Sequence, residues 1–275
     1  MKSKEKSNLF ITAFKGLIVG ASMLVPGVSG GSMAIILGIY DRLIRATSSL
    51  FKNIKENVIF LGIFVVGALV GIVTFAKPLL YLTETYEMIM MYFFIGAVAG
   101  GVPLMYKKAE VSRITTGTIF YVFIGAVITL LLNFIPEGVF AFEGSLNLGS
   151  LALLAVAGIV IAVALILPGI STSYMLLVLG MYDETMRAIK DLYFPYLIPL
   201  VIGVLLGVAL TTRILEKAMN AYPRATYLII LGFIIGSVVQ VFPGFPSGIN
   251  LLLCPIMFIL GFFIIKKISS FNTDL

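Results

Sequence analysis

The chain has 275 residues, 60% hydrophobic and only 12% charged, with a mean hydropathy of +1.11 and a net charge of +6. That balance excludes an ordinary soluble domain and predicts an all-α polytopic membrane protein, a single membrane domain over 1–275. The absence of His and a single cysteine, Cys254, exclude a disulfide framework and argue against zinc and redox chemistry, so neither a metal nor a cofactor is expected.

The basic start MKSKEK and the apolar run 9–25 imitate a secretory signal peptide. The next stretch, VPGVSGGSMAIILGIYD at 25–41, breaks an apolar segment with Pro26, Gly27, Gly30 and Gly31. As a helix, 28–40 reaches only ~20 Å, short of a hydrocarbon core of about 30 Å, so 9–40 reads as a re-entrant hairpin. Three longer apolar runs follow, at 58–76, 88–106 and 115–135. The pattern then starts again. A shift of 142 residues lays PGVSGGSMAIILGIYDRLIRA (26–46) over PGISTSYMLLVLGMYDETMRA (168–188), with ten identities in 21 positions. After a six-residue length difference the match pairs Gly67, Gly71, Lys77, Tyr86, Gly96, Gly100 and Gly125 with Gly203, Gly207, Arg213, Tyr222, Gly232, Gly236 and Gly261. The second half has its own long runs at 196–212, 225–242 and 250–265. A duplicated unit explains this, with repeat 1 at about 9–135 and repeat 2 at about 150–270. Because 9–25 has its counterpart mid-chain at 151–167, it is expected to belong to the fold rather than to be cleaved.

Charge fixes an expected orientation. With re-entrant hairpins and a cytoplasmic N-terminus, all 19 Lys and Arg except Lys77, Arg187 and Lys190 fall on the cytoplasmic side. A spanning 9–40 helix would instead move Arg42 to Lys55 and Lys107 to Arg113 outward. Three crossings per half is odd, so the halves are expected to be inserted upside down relative to each other: two inverted-topology repeats, each a Pro-Gly-broken re-entrant helix hairpin plus three transmembrane helices. Both termini are then cytoplasmic. The positive-inside bias accounts for the basic charge, and no nucleic-acid partner is implied.

Broken backbone at membrane depth is tolerated where it is buried in protein or lines a cavity. The tips at 26–32 and 168–174 are expected to meet near the midplane with Ser29 and Ser171 at the starts of the outgoing half-helices. Helix N-termini favour anions, phosphate especially. The candidate binding residues are Pro26, Gly27, Ser29, Gly30, Gly31 and Ser32 in the first tip, and Pro168, Gly169, Ser171, Thr172 and Ser173 in the second. The competing reading is a packing kink whose serines are caps. Lys77 and Arg213, matched across the repeat and expected to end corresponding helices on opposite faces, are candidate charged gates. Arg42, Arg45 and Arg187 read as interfacial anchors or entrance cations. Asp41 and Asp183 read as helix N-caps beside an interfacial Tyr in preference to ion-coupling groups. The Gly pairs spaced by four predict close helix packing.

The segments VPGVSGGSMAIILGIYDRLI and LPGISTSYMLLVLGMYD resemble the bacterial polyprenyl-phosphate transporters of the PopT type, formerly a domain of unknown function, over nearly the whole chain. The resemblance implies a flippase that recycles undecaprenyl phosphate, the lipid carrier of cell-wall precursors, across the cytoplasmic membrane; its partners are then that lipid and the surrounding membrane lipids. The membrane undecaprenyl-pyrophosphate phosphatases also resemble inverted repeats with a Pro-Gly-x-Ser turn, but theirs continues into Arg-Ser near a pair of glutamates. Here the turns read PGVSGGS and PGISTSY, and neither 9–40 nor 150–182 contains a carboxylate. Binding without hydrolysis is therefore expected, and no enzyme. A transporter of a small soluble anion is the alternative from the residues alone.

Overall fold

The computed structural model describes residues 9–24, 29–111, 113–132, 134–136, 138 and 148–270, without the side chains of 240, 269 and 270. Among the described residues all regular structure is helical: α1 (Leu9–Ser22), α2 (Gly30–Ile36), α3 (Tyr40–Ser48), α4 (Ile54–Thr85), α5 (Glu87–Lys108), α6 (Thr116–Leu132), α7 (Leu148–Ile166), α8 (Thr172–Val178), α9 (Tyr182–Lys190), α10 (Phe194–Ala221), α11 (Pro223–Val241) and α12 (Asn250–Ser270). Each of the six long apolar runs is a helix. Among the described residues five helices are long and apolar enough to cross a membrane: α4, α5, α7, α10 and, over Asn250–Ile268, α12. The shorter apolar helices are α1, α6 and the Pro223–Val239 part of α11.

Two expectations about helix ends are corrected. The run 28–40 is not one half-helix: α2 stops after seven residues at Gly38, which has φ +66°. Gly38 N–H donates to Ile35 O at 2.8 Å and Ile39 N–H to Ala34 O at 2.9 Å, the paired bonds of a Schellman cap, which needs a left-handed residue that glycine adopts without strain. Gly180 repeats the motif after α8, with φ +66° and bonds from Gly180 N–H to Leu177 O and from Met181 N–H to Leu176 O, both 2.9 Å. Hydropathy runs straight through both sites, so the stop is invisible to it. Conversely, α4 and α10 do not end near Lys77 and Arg213. They continue to Thr85 and Ala221, about two turns further: in α10 Arg213, Glu216 and Lys217 are good helix formers even where they end an apolar run, while α4 runs on past Lys77 in spite of Pro78.

Contacts divide the molecule into two units, Met1–Val111 with Val238–Leu275, and Ser112–Ser237. The first holds α1 to α5 and α12; the second holds α6 to α10 and nearly all of α11. In the first unit, an added Cβ at Gly67 or Gly71 of α4 would strike the backbone of Ala13 or Leu17 in α1, and one at Gly96 or Gly100 of α5 that of Phe258 or Phe262 in α12. In the second, Gly203 of α10 abuts Ala155 of α7, and Gly232 of α11 abuts Val122 of α6. The glycine pairs therefore serve close helix packing, as their spacing predicts. Lipid supplies no hydrophobic drive between helices, so backbones that touch gain dispersion that bulkier side chains would prevent.

The short helices are held by these frames. In the first unit, Met33 to Leu37 of α2 are at most 5% exposed, and Ile36 packs on Gly101 of α5. In the second, Leu176 and Leu179 join Leu154, Met181, Tyr196 and Leu200 in one buried cluster. A helix apolar on all sides is a buried one, and the Met33–Ile36 part of α2 fits that rule; α8 buries Met175, Leu176 and Val178 and leaves Ser173 and Leu177 exposed.

Candidate functional site

Each tip is described within its own unit. In the first, Pro26 and Gly27 lie outside the described residues. Ser29 is the N-cap of α2, with extended backbone (φ −83°, ψ 140°); its Oγ accepts the Ser32 amide at 3.1 Å and lies 3.0 Å from Ser32 Oγ. Ser32 is buried at 3% exposure, so its hydroxyl belongs to the cap. Gly30 and Gly31 open the helix and are half-buried. A Cβ on Gly30 would meet Met23 Sδ at 2.9 Å, so this glycine admits the Met23 side chain at the end of α1.

The second tip repeats the backbone and varies the side chains. Pro168 and Gly169 are buried, and Gly169 has φ +81° with its missing Cβ directed at the Phe233 carbonyl of α11. Two constraints thus demand glycine. Ser171 caps α8 (φ −83°, ψ 124°), its Oγ accepting Tyr174 N–H at 3.3 Å. Thr172 is half-buried and Ser173 exposed. Where the first tip has Ser32, the second has Tyr174, whose hydroxyl donates to Leu132 O at the end of α6 at 3.1 Å, satisfying a terminal carbonyl that the helix leaves open. Aligning the repeats hides this role, because the counterpart is a small serine.

The charged candidates sit on α3, α4, α9 and α10. Lys77 and Arg213 are exposed within α4 and α10. The Arg42 guanidinium stacks over the Phe60 ring, 4.2 Å from its centroid, while Arg45 is exposed. Arg187 pairs with Glu184 at 3.0 Å on an exposed face of α9. Asp41 and Asp183 are not N-caps: those positions are Ile39 and Met181, and the carboxylates sit in the first turns of α3 and α9, where they favour the positive helix end. The sequence reading missed the partner of Asp41. Lys108, in the last turn of α5, forms a largely buried ion pair with it, and leaves Asp41 Oδ1 buried without a hydrogen bond. In repeat register Lys108 corresponds to Gly244, so the duplication gives no hint of the pair.

Among the described residues neither tip brings together a general base and a nucleophile; both offer capped amides and hydroxyls. A family profile described as VCA0040-like, undecaprenyl phosphate translocase-like, matches residues 19–248. The chain belongs to this family. It is 32% identical to the polyprenyl-phosphate transporter of Staphylococcus aureus (strain NCTC 8325 / PS 47) over 96% of this chain and 98% of that protein. To the polyprenyl-phosphate transporter of Vibrio cholerae serotype O1 (strain ATCC 39315 / El Tor Inaba N16961) it is 30% identical, over 86% of this chain and 78% of that one. No solved structure matches. These relatives are transporters and not enzymes, in keeping with tips that carry no carboxylate.

Proposed function

We propose that the protein transports undecaprenyl phosphate, or a closely related polyprenyl phosphate, between the leaflets of the bacterial cytoplasmic membrane and so recycles the carrier for cell-wall synthesis. The observation that carries the reading is the similarity, over most of the chain, to relatives named polyprenyl-phosphate transporters. The matched tips suit it: two seven-residue helices, each opened by a serine in extended backbone, present N–H groups and hydroxyls that favour a phosphate head. Ser29, Gly30, Gly31, Ser171, Thr172 and Ser173 are the proposed head-binding residues. Pro26, Gly27, Pro168 and Gly169 form the proposed turns, Lys77 and Arg213 the gates, and Arg42, Arg45 and Arg187 the entrance cations.

The proposed architecture is a pair of inverted repeats with re-entrant tips, both termini being cytoplasmic. At ~10 Å each, the outgoing helices α2 and α8 are far too short to finish a crossing. Alternating access follows from rocking one half against the other, with the head sheltered and the prenyl tail left in the bilayer. Returning the head to the inner leaflet moves negative charge toward a negative interior, costing ~2.3 kcal/mol per charge per 100 mV, which a proton on the phosphate or a steep lipid gradient would offset.

The test is reconstitution of the purified protein in liposomes with a polyprenyl phosphate, following the head between leaflets with and without an imposed potential or pH gradient. Movement faster than in protein-free liposomes is expected. If the lipid does not move while inorganic phosphate or another small anion crosses, the protein is a soluble-anion transporter instead.

A further inference from the structure

The loop joining α11 to α12 departs from its repeat counterpart in chemistry. The register that pairs Gly96 with Gly232 and Gly125 with Gly261 sets residues 106–113 against 242–249. The first of these segments, YKKAEVSR, holds Lys107, Lys108, Glu110 and Arg113; the second, FPGFPSGI, holds no charge. Indeed no Asp, Glu, Lys or Arg occurs anywhere from 225 to 265, through all but the first turn of α11, the loop and most of α12.

The loop is nonetheless built, and its apolar side chains face outward. Tyr92 of α5 donates its hydroxyl to Gly244 O at 3.1 Å, and its ring lies 6.1 Å from that of Phe242. Phe242 in turn meets Phe245 edge-on at 5.5 Å. Gly244 and Gly248 take φ values of +91° and +58°, and Pro243 before them and Pro246 between them restrict the backbone. The result holds Phe245 at 87% exposure and Ile249 at 71%. Water is a poor solvent for such a tip. The surfaces beside it continue the same character, with Val239 of α11 and Leu251 and Leu252 of α12 all exposed, and α12 itself is long and apolar enough to span. The apolar belt of α12 thus runs into the loop without a charged boundary, Ser247 and Asn250 being the polar side chains between them.

We propose that residues 242–249 form an apolar lip that inserts Phe245 and Ile249 among the lipid chains, at the membrane face where α11 ends and α12 begins. Phenylalanine belongs to the apolar face that membrane-surface segments bury in the bilayer, and the lip presents two, Phe242 and Phe245, with no cation to hold it at the headgroups. Its counterpart at 106–113 carries four charged side chains; Lys108 is paired with Asp41, and Lys107, Glu110 and Arg113 are exposed, which suits water or headgroups rather than lipid chains. Two loops of common origin would then treat the two membrane surfaces differently, one lying over the headgroups and the other wedged between chains.

The protein contains no tryptophan, so Phe245→Trp gives the full chain a single reporter at a position with room for it. In liposomes, its emission is expected to be blue-shifted, largely lost when the phosphatidylcholine is brominated near the headgroup end of its chains, and little affected by aqueous iodide. Ile249→Trp, further along the lip, is expected to behave in the same way. Quenching by iodide with no response to brominated lipid overturns the proposal, because the loop is then in water. Protection from both quenchers overturns it too, since protein and not lipid covers the loop. Neither readout depends on what the protein transports.

Discussion

Ser171 has two uses for one hydroxyl group. As the N-cap of α8 its oxygen accepts the Tyr174 amide, while its proton is available to a phosphate oxygen in the proposed function. Alanine removes both at once and cannot separate them: Ser171→Ala is expected to lower stability by about 1 kcal/mol and to slow transport. Aspartate does separate them. It caps as well as serine and favours the positive helix end, yet places a carboxylate where the lipid head is proposed to sit. Ser171→Asp is therefore expected to match or exceed the parent's melting temperature in detergent and to lose transport in liposomes. Full transport by this variant would remove the head from this tip.

At the scale of helices, glycine decides which backbones touch. Gly203→Leu drives a side chain into the Ala155 carbonyl of α7 and is expected to cost about 1–3 kcal/mol, read as a lower melting temperature. Gly62→Leu on α4, where nothing lies near the missing Cβ, is expected to leave it unchanged or raised. Such pairings were legible because small residues spaced by four recur in both halves, and the Pro-Gly breaks were legible because little else interrupts an apolar run. What hydropathy could not show was where helices stop. Gly38 and Gly180 end α2 and α8 through a backbone conformation, with apolar residues on both sides, although the shared LGIYD and LGMYD carried the signal. Lys77 and Arg213 interrupt hydropathy without ending a helix, although Pro78 beside Lys77 has no N–H to donate. The Asp41–Lys108 pair joins residues far apart in sequence and exists in one half alone, so neither periodicity nor duplication points to it.

For the molecule as a whole, the proposed orientation can be read chemically. Cys254 is buried, and on a Cys254→Ser background Ser49→Cys is expected to resist an impermeant thiol reagent in intact cells while Lys190→Cys reacts. Labelling at position 49 from outside would exclude the re-entrant first hairpin. The membership of the two units has a further consequence, for biosynthesis. Ser112–Ser237 is continuous in sequence, so every helix that packs within it leaves the ribosome in one stretch. The other unit is split. Its α5 emerges early with Gly96 and Gly100 awaiting α12, and all of the second unit is made in between. A bare glycine face on a membrane helix is then open to the wrong neighbour throughout that interval, which makes α5 the element most in need of an insertase or chaperone that shields it until α12 arrives.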